Sequence, residues 1–246
     1  MNFGAARLGF NFNRVPNRGY KNQILCFYDP LTLVPESPYV TNYYDSGDIS
    51  PAEIYVNVAA RITALGFTPS LVNTFERFSS LDLSIYAHIW DLGYATPYAT
   101  NVYNPTSKLY GYLQSGGAIM MLGENSIFLN RDTTIENFVS TIGGGTITSA
   151  NTPYGIINST VQPQFLLSNS NNKITFENPG LFTSLGNGVN VVSTYGPADY
   201  AAAMWKTNSL IGAPNGAVMS VLDVNVFSRL LSNDFIDNLI LSLNRL

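Results

Sequence analysis

Four acidic residues stand directly after predicted strands and are the side chains best placed to do chemistry. Asp29, Asp91, Glu124 and Asp223 each follow a short apolar run. The carboxyl ends of parallel strands share one edge of a sheet, where ligands commonly bind, so we expect these four carboxylates to gather there. Such a cluster could hold Mg²⁺ or Ca²⁺, or supply an acid–base pair. Alternatively, each acid caps the following helix or accepts turn N–H groups.

The chain has one Cys and one His, which restricts its nucleophilic and metal chemistry. Cys26 lies inside an apolar run and is expected to be a buried thiol. His88 alternates with aromatic residues on one strand face and is expected in the core. A single thiol excludes disulfide frameworks and multi-thiolate metal sites. Ser126 has no G-x-S-x-G elbow and no His after it. We predict no catalytic residue, no metal and no cofactor, and favour a protein that is not an enzyme.

Composition excludes several partner classes. Of 246 residues, 46% are hydrophobic and only 11% are charged, with a net charge of −4. The surface is therefore expected to be rich in Asn, Ser, Thr and Tyr, and an acidic, charge-poor protein is a poor match for nucleic acid. No apolar run is long enough for a signal peptide or a membrane helix, so we expect no membrane partner and a cytoplasmic site of synthesis.

Apolar runs alternate with helical patterns from residue 23 onward. Strands are predicted at 24–28, 67–73, 83–90, 118–122 and 217–222, and helices are predicted to start at Ser50, Asn104, Asp132 and Asn233. This alternation predicts a single α/β domain over 23–246 with a mainly parallel, flavodoxin-like sheet flanked by helices. Residues 146–200 are rich in Asn, Ser, Thr and Gly, and are expected to add extra strands and loops to it.

Four blocks carry a resemblance to a known fold family. The run LQSGGAIMMLGEN at 113–125 resembles a strand and turn of class I glutamine amidotransferase-like domains. The blocks GAVMSVLD at 216–223 and NDFIDNL at 233–239 are similar to the ending of noncatalytic relatives, namely gliding-motility and DUF4350-type domains and the N-terminal domain of intraflagellar transport proteins. The run ENPGLFTSLGNGVNV at 177–191 is similar to a segment before their last strands.

The resemblance implies an amidotransferase-like fold without its chemistry, a pseudoenzyme. Catalytic members of that fold place a Cys in the turn after the strand corresponding to 118–122, with a His and an acid downstream. This chain has Gly123, Glu124 and Asn125 in that turn, and its His88 lies upstream.

Residues 1–22 are predicted to form an extended arm because no helical or strand period persists there. The arm has no acid and combines aromatic and basic side chains: Phe3, Arg7, Phe10, Phe12, Arg14, Arg18 and Tyr20. It is a free tail, packs along its own domain, or lies on a neighbouring subunit. In the last case apolar anchors and Arg side chains bind the partner.

Two functional hypotheses follow. The first is a structural or interaction protein that forms oligomers, such as a component of a phage or viral particle, since a surface with few charges loses little solvation when partners bury it. The second is an enzyme or a binding domain for a small ligand, a carbohydrate or a metal that uses the acidic sheet edge, assisted by tyrosines at 39–44 or by Tyr94 and Tyr98.

Overall fold

A computed structural model describes residues 21–28, 49–94, 107–125, 129–151, 155–168, 171–196, 198–227 and 233–245. Several positions named above lie outside these ranges: the predicted arm residues from Phe3 to Tyr20, Asp29, the tyrosines at 39–44, Tyr98, Asn104 and Ser126.

The described chain contains eleven strands and five α-helices. The strands are β1 (Gln23–Phe27), β2 (Thr68–Val72), β3 (Tyr86–Asp91), β4 (Ala118–Leu122), β5 (Ile147–Asn151), β6 (Ile156–Val161), β7 (Lys173–Glu177), β8 (Gly180–Leu185), β9 (Val189–Ser193), β10 (Tyr200–Trp205) and β11 (Ala217–Val221). The helices are α1 (Pro51–Ala64), α2 (Phe75–Ser80), α3 (Lys108–Gln114), α4 (Leu129–Thr141) and α5 (Asn233–Asn244).

All eleven strands belong to one sheet, ordered β2-β1-β3-β4-β11-β10-β9-β6-β7, with β8 pairing both β10 and β5. The first five strands of this order run parallel. An α-helix follows each of β1, β2, β3 and β4, because parallel neighbours need a long crossover. The carboxyl ends of β3, β4 and β11 therefore lie side by side at one edge.

The prediction of a mainly parallel, flavodoxin-like sheet is wrong. Among the described strands, six pairings are antiparallel and four are parallel. The difference arises in β5–β10, which pair only antiparallel. The pairs β6–β7, β9–β10 and β10–β11 join consecutive strands with no α-helix between them, and such a direct return of the chain gives antiparallel pairing. This segment is a major part of the sheet, not an addition to it.

Two apolar layers cover the sheet. On one face Ile24, Trp90 and Met219 pack in a cluster with residues of α1 and α5. On the other face Leu25, Ile89 and Val218 pack with residues of α3 and α4. Successive residues of a strand point to opposite faces, which is why neighbours in β1 and β11 divide between the clusters. Within the described ranges, no helix is both long and apolar enough to span a membrane.

Helix starts show where local sequence decides the structure. Ser50 and Glu53 form a reciprocal capping box at the start of α1, as their spacing predicts. At α4 the prediction was off by one turn, because Asp132 lies inside the helix instead of capping it. Residues Leu83–Ile85, predicted as strand, form a 3₁₀ turn before β3.

Candidate functional site at the carboxyl edge of the sheet

The structure brings three of the four predicted acids to one edge. Asp91 is the last residue of β3, Glu124 lies in the turn after β4, and Asp223 follows β11. The three strands are neighbours in the sheet, and all three residues have 0% exposure. The fourth acid, Asp29, lies outside the described residues.

Asp91 forms a buried ion pair with Arg131. The guanidinium Nη2 lies 2.7 Å from the carboxylate Oδ2, and both side chains are fully buried. Arg131 also donates from Nε to the carbonyl of Leu122 at 2.7 Å, while Asp91 Oδ1 accepts the N–H of Gly93 at 2.9 Å. The first turn of α4 is thereby attached to the ends of β3 and β4. A buried charge needs such partners, because leaving it unpaired is costly.

Glu124 ties the turn after β4 to the loop after β11. Its Oε2 accepts the N–H of Val224 at 2.9 Å and its Oε1 accepts the N–H of Asn125 at 3.0 Å. The backbone N–H of Glu124 in turn donates to Asp132 Oδ1 at 3.4 Å. Both carboxylate oxygens are thus engaged by backbone groups.

Asp223 joins the exit of β11 to the end of β7. Its Oδ2 accepts the N–H of Glu177 at 2.6 Å, and its Oδ1 accepts the N–H of Asn225 at 2.7 Å. Burial raises the pKa of Asp223 to about 7, with a smaller rise from the nearby Glu177 charge, while the backbone N–H donors act in the opposite direction. The carboxyl group therefore titrates near neutral pH.

The start of β8 packs closely against the residues that follow β4 and β11. The N–H of Gly180 donates to the carbonyl of Leu222 at 2.8 Å. A Cβ atom at Gly180 would lie 2.4 Å from the backbone oxygen of Glu124, so only glycine fits there.

The chemical capacity of this edge follows from these bonds. Each carboxylate accepts at least one backbone N–H, and Asp91 also neutralises Arg131. This is the geometry expected for acids that organise turns and helix starts. Within the described ranges, no group of three His, Cys, Asp or Glu side chains is arranged to hold a metal ion. Ligand binding at this edge stays a prediction.

Cys26 and His88 are placed in the core. Both have 0% exposure, and burial raises the pKa of the Cys26 thiol strongly, which disfavours the reactive thiolate. In the sheet register Cys26 pairs with Trp90, and Ile24 pairs with His88. The ring Nδ1 of His88 accepts the indole N–H of Trp90 at 2.8 Å. The two residues therefore do not line an open cleft.

Two residues of the site carry no sequence signal that identifies them. Arg131 and Asp132 belong to no recognisable motif. An acid near the start of a helix is common because it caps the helix, so Asp132 does not stand out as a site residue. Asp132 has 2% exposure and Arg131 has none. Charged residues are almost never so buried unless paired, and the pairing partner becomes visible only in three dimensions.

Comparison with known proteins gives structural likeness alone. No family model and no curated protein matches the chain. Among solved structures, a ThuA-like protein from Bacteroides uniformis is similar with a TM-score of 0.54 at 10% identity, over 94% of this chain and 95% of that one. The mmIFT52 N-terminal domain is similar with a TM-score of 0.56 at 12% identity, over 90% and 97%.

A third similar structure is a cold-adapted β-galactosidase from Rahnella sp. R3. Its TM-score is 0.53 at 11% identity, and the match covers 91% of this chain but 31% of that one. At the level of fold the chain is similar to ThuA-like proteins, which have a class I glutamine amidotransferase-like fold. At such low identity, likeness establishes the fold and leaves function to the residues of the site.

The ion pair of Asp91 and Arg131 predicts a characteristic pattern of stabilities. Arg131→Met should lower the free energy of unfolding by about 3–5 kcal/mol, because it leaves a buried carboxylate without its cation. Asp91→Asn in the same chain should restore much of that loss. Denaturant unfolding measures both, with Arg77→Met at an exposed position as control. A double variant no more stable than the single one would contradict this account.

Asp223 predicts a pH-dependent term in stability. Because its folded pKa is raised from 3.8 to about 7, folding takes up a proton between these values, and stability from this group falls as pH rises through that window. The change is on the order of 4 kcal/mol and levels off above the folded pKa. Urea unfolding of the native chain and of Asp223→Asn from pH 4 to 8 measures it. The stability of the native chain relative to Asp223→Asn should fall as pH rises through the window. Parallel curves would refute the assignment.

Proposed function

We propose that this protein is a non-enzymatic subunit of a larger protein assembly. One observation supports this above the others: the acids at the sheet edge are fully buried and engaged in holding backbone N–H groups and Arg131. An active-site acid or nucleophile must reach its substrate, and these groups are directed into the protein.

The remaining reactive groups support the same proposal. Catalytic relatives of this fold are expected to use a Cys in the turn after the strand equivalent to β4. Here that turn carries Glu124, whose oxygens accept N–H groups from Asn125 and Val224. Cys26 and His88 lie in the packed core, where neither is open to a substrate.

The outer face of the β6–β7 ribbon carries neutral polar side chains between the charged Lys173 and Glu177. Asn158 accepts from Thr175 at 3.3 Å, and Lys173 donates to Thr160 at 2.9 Å. Ile156, at the start of β6, is 67% exposed. Neutral polar groups lose less solvation than charges when a partner covers them, so such a face suits assembly.

Within the fold, we propose a place among the noncatalytic relatives of the gliding-motility, DUF4350 or intraflagellar-transport N-terminal type. Likeness to the mmIFT52 N-terminal domain supports this at the level of fold. We further propose a phage or viral particle as the assembly, on the basis of the low charged fraction of 11%. The aromatic and basic residues in 1–22 are proposed to bind a neighbouring protein subunit.

Assembly through residues 1–22 predicts a specific loss of association. Phe10→Ser combined with Phe12→Ser should weaken self-association or partner binding by about tenfold or more, because buried aromatic anchors dominate interface energy. The melting temperature should not change. Light scattering coupled to size-exclusion chromatography measures the mass, and Val56→Ser, at a 64% exposed helix position, is the matched control. A native chain that is monomeric at every concentration, with no protein partner, would refute the assembly proposal.

A second expected result concerns cations. Millimolar Ca²⁺ or Mg²⁺ should leave the melting temperature unchanged, because the carboxylates at the edge already have protein partners. Differential scanning fluorimetry measures this, with EDTA-treated protein as reference. A rise in melting temperature that is lost in Glu124→Gln would instead favour a metal-dependent binding domain at the acidic edge.

A further inference from the structure

The first observation concerns the β7 edge of the sheet. Among the described strands β7 pairs with β6 alone. The N–H of Val161 donates to the carbonyl of Asn172, and the N–H of Asn178 donates to the carbonyl of Gly155. The backbone N–H and C=O groups of the even-numbered residues of β7 therefore point toward β6. The backbone N–H and C=O groups of the odd-numbered residues point outward, where a further strand would bind.

Two of the outward N–H groups of β7 already donate hydrogen bonds to side chains. The N–H of Glu177 donates to Asp223 at 2.6 Å, and the N–H of Lys173 donates to the side chain of Asn171 at 3.1 Å. Within β7 this leaves the outward N–H of Thr175 between two occupied ones. An added strand needs a regular row of donors and acceptors, and this row is interrupted at both ends.

The β5 edge is interrupted in the same way. In the described structure β5 pairs with β8 alone. Glu136, on α4, extends its Oε1 to the backbone N–H of Ser149 in the middle of β5. A carboxylate at this position both removes a donor and places a negative charge against the carbonyl groups of any approaching strand.

The third edge, β2, is interrupted by proline. The bonds Thr68 N–H to Asn22 and Tyr28 N–H to Val72 show that Thr68, Ser70 and Val72 face β1. Pro69 therefore faces outward, and it has no N–H to donate.

From these three edges we infer that the sheet does not accept a further strand. Pro69, Glu136 and Asp223 prevent copies of this chain from pairing edge to edge. The surface left for a partner is then made of side chains, not of backbone. The inference does not depend on the proposed function, since a monomer needs the same protection against aggregation.

Glu136 offers the sharpest test because two variants separate hydrogen bonding from charge. Glu136→Ala frees the Ser149 N–H, whereas Glu136→Gln removes the same charge and keeps an acceptor. We expect Glu136→Ala to raise the self-association constant by about tenfold or more relative to Glu136→Gln. Sedimentation velocity over a wide concentration range measures association. Hydrogen exchange of residues 147–151 reports whether β5 becomes protected in the associated form.

Pro69→Val at the opposite edge gives an independent measurement if Glu136→Ala fails to fold. It restores an outward N–H and should produce concentration-dependent protection of residues 68–72. The inference is overturned if folded Glu136→Ala and Pro69→Val sediment like Glu136→Gln at all concentrations. It is also overturned if the native chain shows concentration-dependent protection at 68–72, 147–151 or 173–177. Loss of association in the arm variants bears only on the proposed function.

Discussion

The carboxylate of Asp223 joins the two halves of the sheet. One oxygen accepts an N–H from the end of β7, and the other accepts an N–H from the loop after β11. Strands β11, β10, β9, β6 and β7 follow one another in the sheet, so this bond brings the last of them back to the first. Phe176, in β7, and Val226, in the loop after β11, pack in the same apolar cluster. Asp223 bears the desolvation cost of this position, and its raised pKa is the sign of it.

The other buried acids show the same use of charge. Asp91 binds Arg131, and Glu124 binds the loop that Asp223 also holds. All three carboxylates accept backbone N–H groups of the chain itself. These bonds fix the positions of the loops at this edge, because charge-assisted hydrogen bonds are stronger than neutral ones.

The sequence alone predicts the parts of this structure that depend on local patterns. The capping box at Ser50 and the continuous apolar run of β4 each determine an element within a few residues. The placing of Asp91, Glu124 and Asp223 at one edge follows from strand direction. Strand β10 was missed because its alanines at 201–203 have low β propensity, and tertiary packing decides its state. Arg131 was missed because its partner is 40 residues away in the chain.

Strand β11 lies between β4 and β10, and this position has a consequence for biosynthesis. Residues 217–221 link the parallel strands on one side to the antiparallel strands on the other. Every earlier strand leaves the ribosome before this link exists, so the sides of β4 and β10 that pair with β11 stay unpaired until then. Completion of the sheet therefore follows the synthesis of every other described strand. A chain that stalls before residue 217 would present both unpaired surfaces to chaperones and proteases.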